Sequence, residues 1–217
     1  MEQHVILPDL NCLTVRDDHT DEVEYFGSNQ EWFPDAWQRM AGCAPSVTAN
    51  IFLYHYQKRE AGRFCFKKDL LALMEESWCY VTPGEGGLPS TSKFAEKVKD
   101  FGCSHNLKLD SRILKVGEDE SRRPSLSDMI DFIVEALKWE TPVAFLNLCN
   151  GQVETLDKWH WVTITAIKYD NDRGTATAMI SDEAVSKEID LALWLATTTR
   201  GGGFVYFLLD ENITLPA

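Results

Sequence analysis

Apolar residues recur at helical spacing through the first two thirds of the chain and alternate with polar ones in the last third. Val47 to Tyr56 (VTANIFLYHY) is apolar nearly all round, the mark of a helix buried on every side. Pro45 suits the first turn of a helix, where its missing N–H would have had no partner. The spacing therefore predicts a central buried helix with Cys43 at or just before its start. Lys67 to Trp78 carries Leu70, Leu71, Met74 and Trp78 at helical spacing. Thr91 to Phe101 places Phe94, Val98 and Phe101 on one face, with Ser90 as cap and Gly102 as C-terminal stop. Ser127 to Glu140 repeats Ile130, Ile133, Val134 and Leu137, with Ser125 or Ser127 capping and Pro142 beyond its end.

The pattern then changes. PVAFLNL, WHWVTITAIKY, TATAMISD and FVYFLL are short runs of β-branched and aromatic residues separated by turn signals. Asp190 to Thr199 reads as a short helix capped by Asp190 and ending before Gly201-Gly202-Gly203. Helices first and strands later predict an α+β protein with an antiparallel sheet. The expectation is one domain over residues 1–217, with a helical lobe over about 30–140 and a sheet lobe over about 141–217. The charged stretch KVGEDESRRP is the expected boundary between them, and RDDHTDEVE near the N-terminus reads as a solvated acidic loop or edge.

Composition narrows the function. The chain has 217 residues, 44% of them hydrophobic, and Asp+Glu outnumber Lys+Arg by 34 to 21 for a formal charge of -13. A field of that sign repels phosphate backbones and anionic lipid, so neither nucleic acid nor a membrane surface is an expected partner. No run reaches the ~20 apolar residues of a membrane span, and the N-terminus lacks the basic region of a signal peptide. Six cysteines (Cys12, Cys43, Cys65, Cys79, Cys103 and Cys149) show no framework spacing and no CxxC pair. A reduced, cytoplasmic chain with free thiols, no bound metal and no cofactor is the expectation.

One hairpin carries the chemistry. WHWVTITAIKY and TATAMISD are joined by Asp170-Asn171-Asp172-Arg173-Gly174, a turn-forming cluster. A turn centred near Asn171 sets His160 opposite Asp182, on a face that continues through Val162, Ile164 and Ala166 and through Ile180, Ala178 and Ala176. Residues so opposed have Cβ atoms ~5 Å apart. Trp161, Thr163, Thr165, Thr177 and Ser181 take the other face. A histidine beside a carboxylate at the mouth of an apolar face is the base-and-orienter half of a catalytic triad, although a histidine satisfied within a core has the same signature. Cys43 favours the catalytic reading, because a thiol at a helix N-terminus meets the positive end of the helix dipole. Cysteine, histidine and acid in that chain order form a recurrent arrangement for acyl transfer.

On these residues the chain resembles the papain-like cysteine peptidases, in particular the bacterial group of bacteriocin-processing (double-glycine leader) peptidases. GCAPSVTAN is similar to the family's Cys-Gly-Pro block at the start of the central helix, with Ala44 where the family usually has glycine. WHWVTITAIKYDN followed by ISDEA resembles its His and Asp strands. The resemblance spans Trp37 to Tyr56 and Pro142 to Asp182, with a weaker match in TSKFAEKVKDFG. It implies Cys43 as nucleophile, His160 as general base and Asp182 as orienting acid. Gln38 is its candidate oxyanion donor, five residues before the cysteine rather than the usual six. The implied activity is a cysteine hydrolase, a peptidase acting on a peptide or acyl-amide substrate through an acyl-enzyme. An acyltransferase on the same fold and an inactive papain-like binding module are the alternatives. Trp32, Trp37, Trp159 and Trp161 flank the nucleophile and base in sequence and are candidates for cleft walls.

Overall fold

A computed structural model of the chain describes residues 1–20, 24–59 and 65–209. The N-terminal segment forms β1 (Gln3–Ile6), β2 (Thr14–Arg16) and β3 (Glu24–Phe26), followed by α1 (Ala36–Ala41) and the long α2 (Cys43–Arg59). Next come β4 (Cys65–Phe66), α3 (Lys67–Tyr80), α4 (Thr91–Ser104), β5 (Leu109–Val116) and α5 (Leu126–Lys138). The chain continues through β6 (Val143–Asn147), β7 (His160–Asp170), β8 (Thr175–Asp182), β9 (Val185–Asp190), α6 (Leu191–Thr197) and β10 (Gly202–Leu209).

The main sheet runs β5-β10-β6-β7-β8-β9, with β1 added beside β7, and every pairing in it is antiparallel. The first half of β7 (His160–Ile164) pairs with β6, and its second half (Ala166–Tyr169) pairs with β1. A small second sheet joins β3, β2 and β4. The main sheet thus draws β5 from the portion of the chain that reads as helical, and β1 from the N-terminal stretch before it. Neither shows a clean alternation: β5 (LDSRILKV) is an edge strand with only its two end residues buried.

Alternate residues of β6 separate two cores. Val143 and Phe145 join one, where Phe145 stacks on Phe204 of β10 and meets Trp194 of α6 edge-on. Ala144 and Leu146 join the other, where Phe94 of α4 stacks on Trp161. Both faces of the sheet are therefore covered by helices. α2 contributes to both cores, Leu53 and Tyr54 to the first and Val47, Ile51 and Phe52 to the second. That explains why its sequence is apolar all round: every residue from Ala44 to His55 is buried.

Ser90 caps α4 by accepting from the Lys93 N–H, and Ser125 forms a capping box with Asp128 at the head of α5. Gly102 does not stop α4, which runs on to Ser104. The stop is Asn106, in the left-handed conformation at φ 56°, and the Leu107 N–H bonds back to the Gly102 carbonyl. That is a Schellman closure with asparagine in the glycine position. Gly102 serves instead to admit Leu109, whose Cδ1 would lie 2.8 Å from any Cβ built there.

Candidate active site

The nucleophile candidate sits where two helices meet. Asp35 caps α1 by accepting from the N–H groups of Trp37 and Gln38, and Gly42 then links α1 to α2. A Cβ on Gly42 would lie 2.4 Å from the Gln38 carbonyl oxygen and 2.6 Å from the Phe33 ring, so only glycine lets α1 pack this close to the start of α2. Cys43 is the first residue of α2 and is half-buried. The leading N–H groups of that helix have no intrahelical partner.

The histidine and the acid come from the β7–β8 hairpin, with an altered register. Near the turn, Asp170 pairs with Thr175, and Ile167 pairs with Ala178. A bulge between Ile164 and Ala166 then shifts the ladder, so that Ile164 opposes Ile180. The inward face is Val162, Ile164, Ile167 and Tyr169, and Ala166 leaves it. His160 and Asp182 consequently stand on a diagonal rather than directly opposite. The longer reach is bridged by the side chains: His160 Nε2 lies 2.7 Å from Asp182 Oδ1. This occupies one ring nitrogen and leaves Nδ1 for the thiol.

One pocket is lined by Cys43, His160 and Asp182, together with Ser28, Gln30, Ser46, Asn50, Trp161 and Glu183. Asn50 of α2 fixes the helix to the sheet behind it. Its Nδ2 donates to Thr163 Oγ1 at 3.1 Å, and its Oδ1 accepts from the Ser28 N–H at 2.8 Å. Ser181 Oγ in turn donates to the Phe26 carbonyl. Gln38 does not line the pocket. Its residue belongs to α1, and the glutamine at the pocket wall is Gln30, which ends the segment after β3. Gln30 Oε1 is buried with no protein partner. Thirteen residues separate Gln30 from Cys43 in sequence, so no local spacing signalled it.

No protein-family model matches the sequence, and no curated protein matches it. Among solved structures, UfSP from C. elegans, of papain-like fold, superposes with a TM-score of 0.50 at 9% identity. The match covers 96% of this chain and 34% of that protein, so the chain spans about a third of its neighbour's length. The chain has a papain-like α+β fold.

Within this papain-like frame the electrostatics of the pocket are concentrated on His160. Burial opposes its charge, but hydrogen bonds and charge attraction from Asp182 and Cys43 outweigh that cost and raise the imidazole from 6.5 to about 10. Burial likewise opposes the charge of Asp182, and the hydrogen bonds and charges of His160 and Lys187 overcome it, holding the carboxyl below its ordinary range. Trp161 forms a pocket wall and donates to the Leu88 carbonyl, whereas Trp32 packs edge-on against Tyr25, away from the pocket lining. Trp37 and Trp159 are exposed.

None of the six cysteines is joined in a disulfide among the described residues. Burial, the largest influence, pushes Cys12 up to about 11, while the Thr199 hydroxyl, donating to the sulfur at 3.2 Å, brings Cys149 down to about 7. Among the described residues, no group of three His, Cys, Asp or Glu side chains is placed to hold a metal ion, and no helix is long and apolar enough to cross a membrane.

Proposed function

We propose that the chain is a cysteine peptidase using Cys43, His160 and Asp182. The observation that carries this reading is the pocket in which Cys43, at the head of a buried helix, faces a histidine held at 2.7 Å by a buried carboxylate. The Cys43 sulfur attacks a substrate carbonyl carbon as the thiolate, and the carbonyl π electrons move onto oxygen. The leading backbone N–H groups of α2 and the Gln30 carboxamide, turned to present Nε2, receive that oxyanion. Gln30 replaces Gln38 in this role. The His160 imidazolium then gives its proton to the departing amine as the C–N bond breaks, leaving a thioester on Cys43. Neutral His160 takes a proton from water, which attacks the thioester and releases the acid. Asp182 holds the ring orientation throughout. The fold likeness to UfSP supports this reading.

The test is alkylation with iodoacetamide at pH 6 to 7, mapped by peptide mass analysis in a Cys149→Ser background, because Cys149 is itself an activated thiol. Cys43 is expected to react faster than any remaining cysteine, and His160→Ala to slow it. A Cys43 no faster than the exposed Cys79 and Cys103, with no response to His160→Ala, refutes the proposal in favour of an inactive binding module.

A further inference from the structure

Asp182 has a second cationic partner. Lys187 on β9 places Nζ 2.9 Å from Asp182 Oδ2 and 2.7 Å from Glu183 Oε2. The two oxygens of Asp182 are therefore divided, Oδ1 to His160 and Oδ2 to Lys187, on a side chain only 3% exposed. We propose that Lys187 is a positioning residue of the site, gripping the outer oxygen of Asp182 so that the inner oxygen stays on His160. This rests on the catalytic reading of Cys43 and His160.

The placement is built rather than incidental. β8 and β9 are joined by Glu183 and Ala184, both in the left-handed region at φ 52° and 62°, the two-residue turn that matches strand twist. The turn is fastened from outside: the Phe26 N–H donates to the Ala184 carbonyl, the Ala184 N–H to the Ser28 carbonyl, and Asn29 Nδ2 to the Glu183 carbonyl. Lys187 opposes Ile180 across the ladder, and its side chain runs back toward Asp182 with 26% exposure. A lysine that needed no partner would leave its ammonium in water, since exposed ion pairs gain little.

The charges around Asp182 are the His160 ring from β7, Lys187 from β9 and Glu183 from the turn, with Cys43 of α2 beyond the ring. Lys187 and Glu183 form a neutral pair. Lys187 therefore supplies a donor to a buried carboxylate oxygen without adding net charge to the site. Take Lys187 away, and Oδ2 is a buried acceptor with no donor, free to exchange with Oδ1 by rotation of the carboxylate. The carboxylate charge, no longer shared with the ammonium, would then fall more fully on the His160 imidazolium.

The test uses the full chain with Cys149→Ser and follows Cys43 alkylation by iodoacetamide from pH 5 to 11. Lys187→Gln is expected to move the alkaline inflection, where His160 loses its proton, upward by about one pH unit. Lys187→Arg should restore the original position. In an Asp182→Asn background Lys187→Gln should produce no further shift, because the charge it acts through has gone. An unchanged inflection in Lys187→Gln overturns the proposal, as does an equal shift with and without Asp182. Failure of the catalytic reading looks different: the parent profile would then match that of His160→Gln and show no histidine inflection at all.

Discussion

Asp182→Asn isolates the charge of the acid while preserving its shape. Asparagine keeps an oxygen that can accept from His160 Nε2, so the hydrogen bond survives and the carboxylate charge does not. His160 is raised from 6.5 to about 10 against the cost of burial. That difference corresponds to about 5 kcal/mol favouring the imidazolium, at about 1.4 kcal/mol per pH unit. Asp182 and Cys43 supply the favourable interactions. Asp182 stands first among the influences that raise the ring, so removing its charge should bring the histidine inflection down from about 10 toward the ordinary 6.5. The direction follows from charge alone: a lost anion makes the cationic ring easier to deprotonate. The assay is the rate of Cys43 alkylation against pH, with the modified peptide quantified by mass. An inflection that stays near 10 in Asp182→Asn, with Cys43 still reactive, would refute the assignment of the carboxylate as the source of the raised histidine.

Three further outcomes are expected. Because folding raises His160, its contribution to stability is fully present below pH 6.5 and is lost as pH climbs through about 10; urea midpoints over that range should show a decline that His160→Gln lacks. On a peptide or thioester substrate turned over by the parent chain, Gln30→Ala should lower kcat by about 100- to 1,000-fold, as loss of an oxyanion donor does, while Gln38→Ala leaves it near the parent value. Thr199→Val removes the hydroxyl that donates to Cys149, so the thiol should rise from about 7 toward its ordinary value and its alkylation at pH 7 should slow; an unchanged rate would show that Thr199 does not activate it.

The helices and the central strands were legible because burial imposes a period. α2 reads as buried on all sides, and it is, since two cores share it. What escaped the pattern lacks that imposed period. β9 (VSKEID) is an edge strand that is mostly exposed, and β1 is exposed at three of its four positions, so neither shows a sustained alternation. The bulge beyond Ile164 leaves no compositional trace, because Thr165, Ala166 and Ile167 are all buried either way. It shifts the pairing by one residue, and that shift is what returns His160 and Asp182 to a common face: continued without it, the register near the turn would set them on opposite faces of the sheet. Gln30 was invisible for a different reason. Its place beside Cys43 comes from the docking of the 26–30 segment against the β8–β9 turn, a contact between distant parts of the chain. Asn106 likewise took the role expected of Gly102, because the left-handed conformation tolerates asparagine.

That docking has a consequence for the order in which the molecule matures. The Phe26 carbonyl accepts from Ser181, and Asn29 donates to Glu183, contacts that span 155 and 154 residues. Cys43 and its helix form from a short stretch of chain, but the partners of that thiol arrive more than 110 residues later. Closing loops of this length is slow and comes after local structure. A chain still being synthesised therefore carries an unassisted cysteine, and the imidazole reaches it only when the C-terminal strands have been made and the 26–30 segment has clasped their turn. The long-range clasp thus ties the site to the whole chain: the pocket and the partners of the thiol come from the same C-terminal strands, so neither exists until those strands are in place.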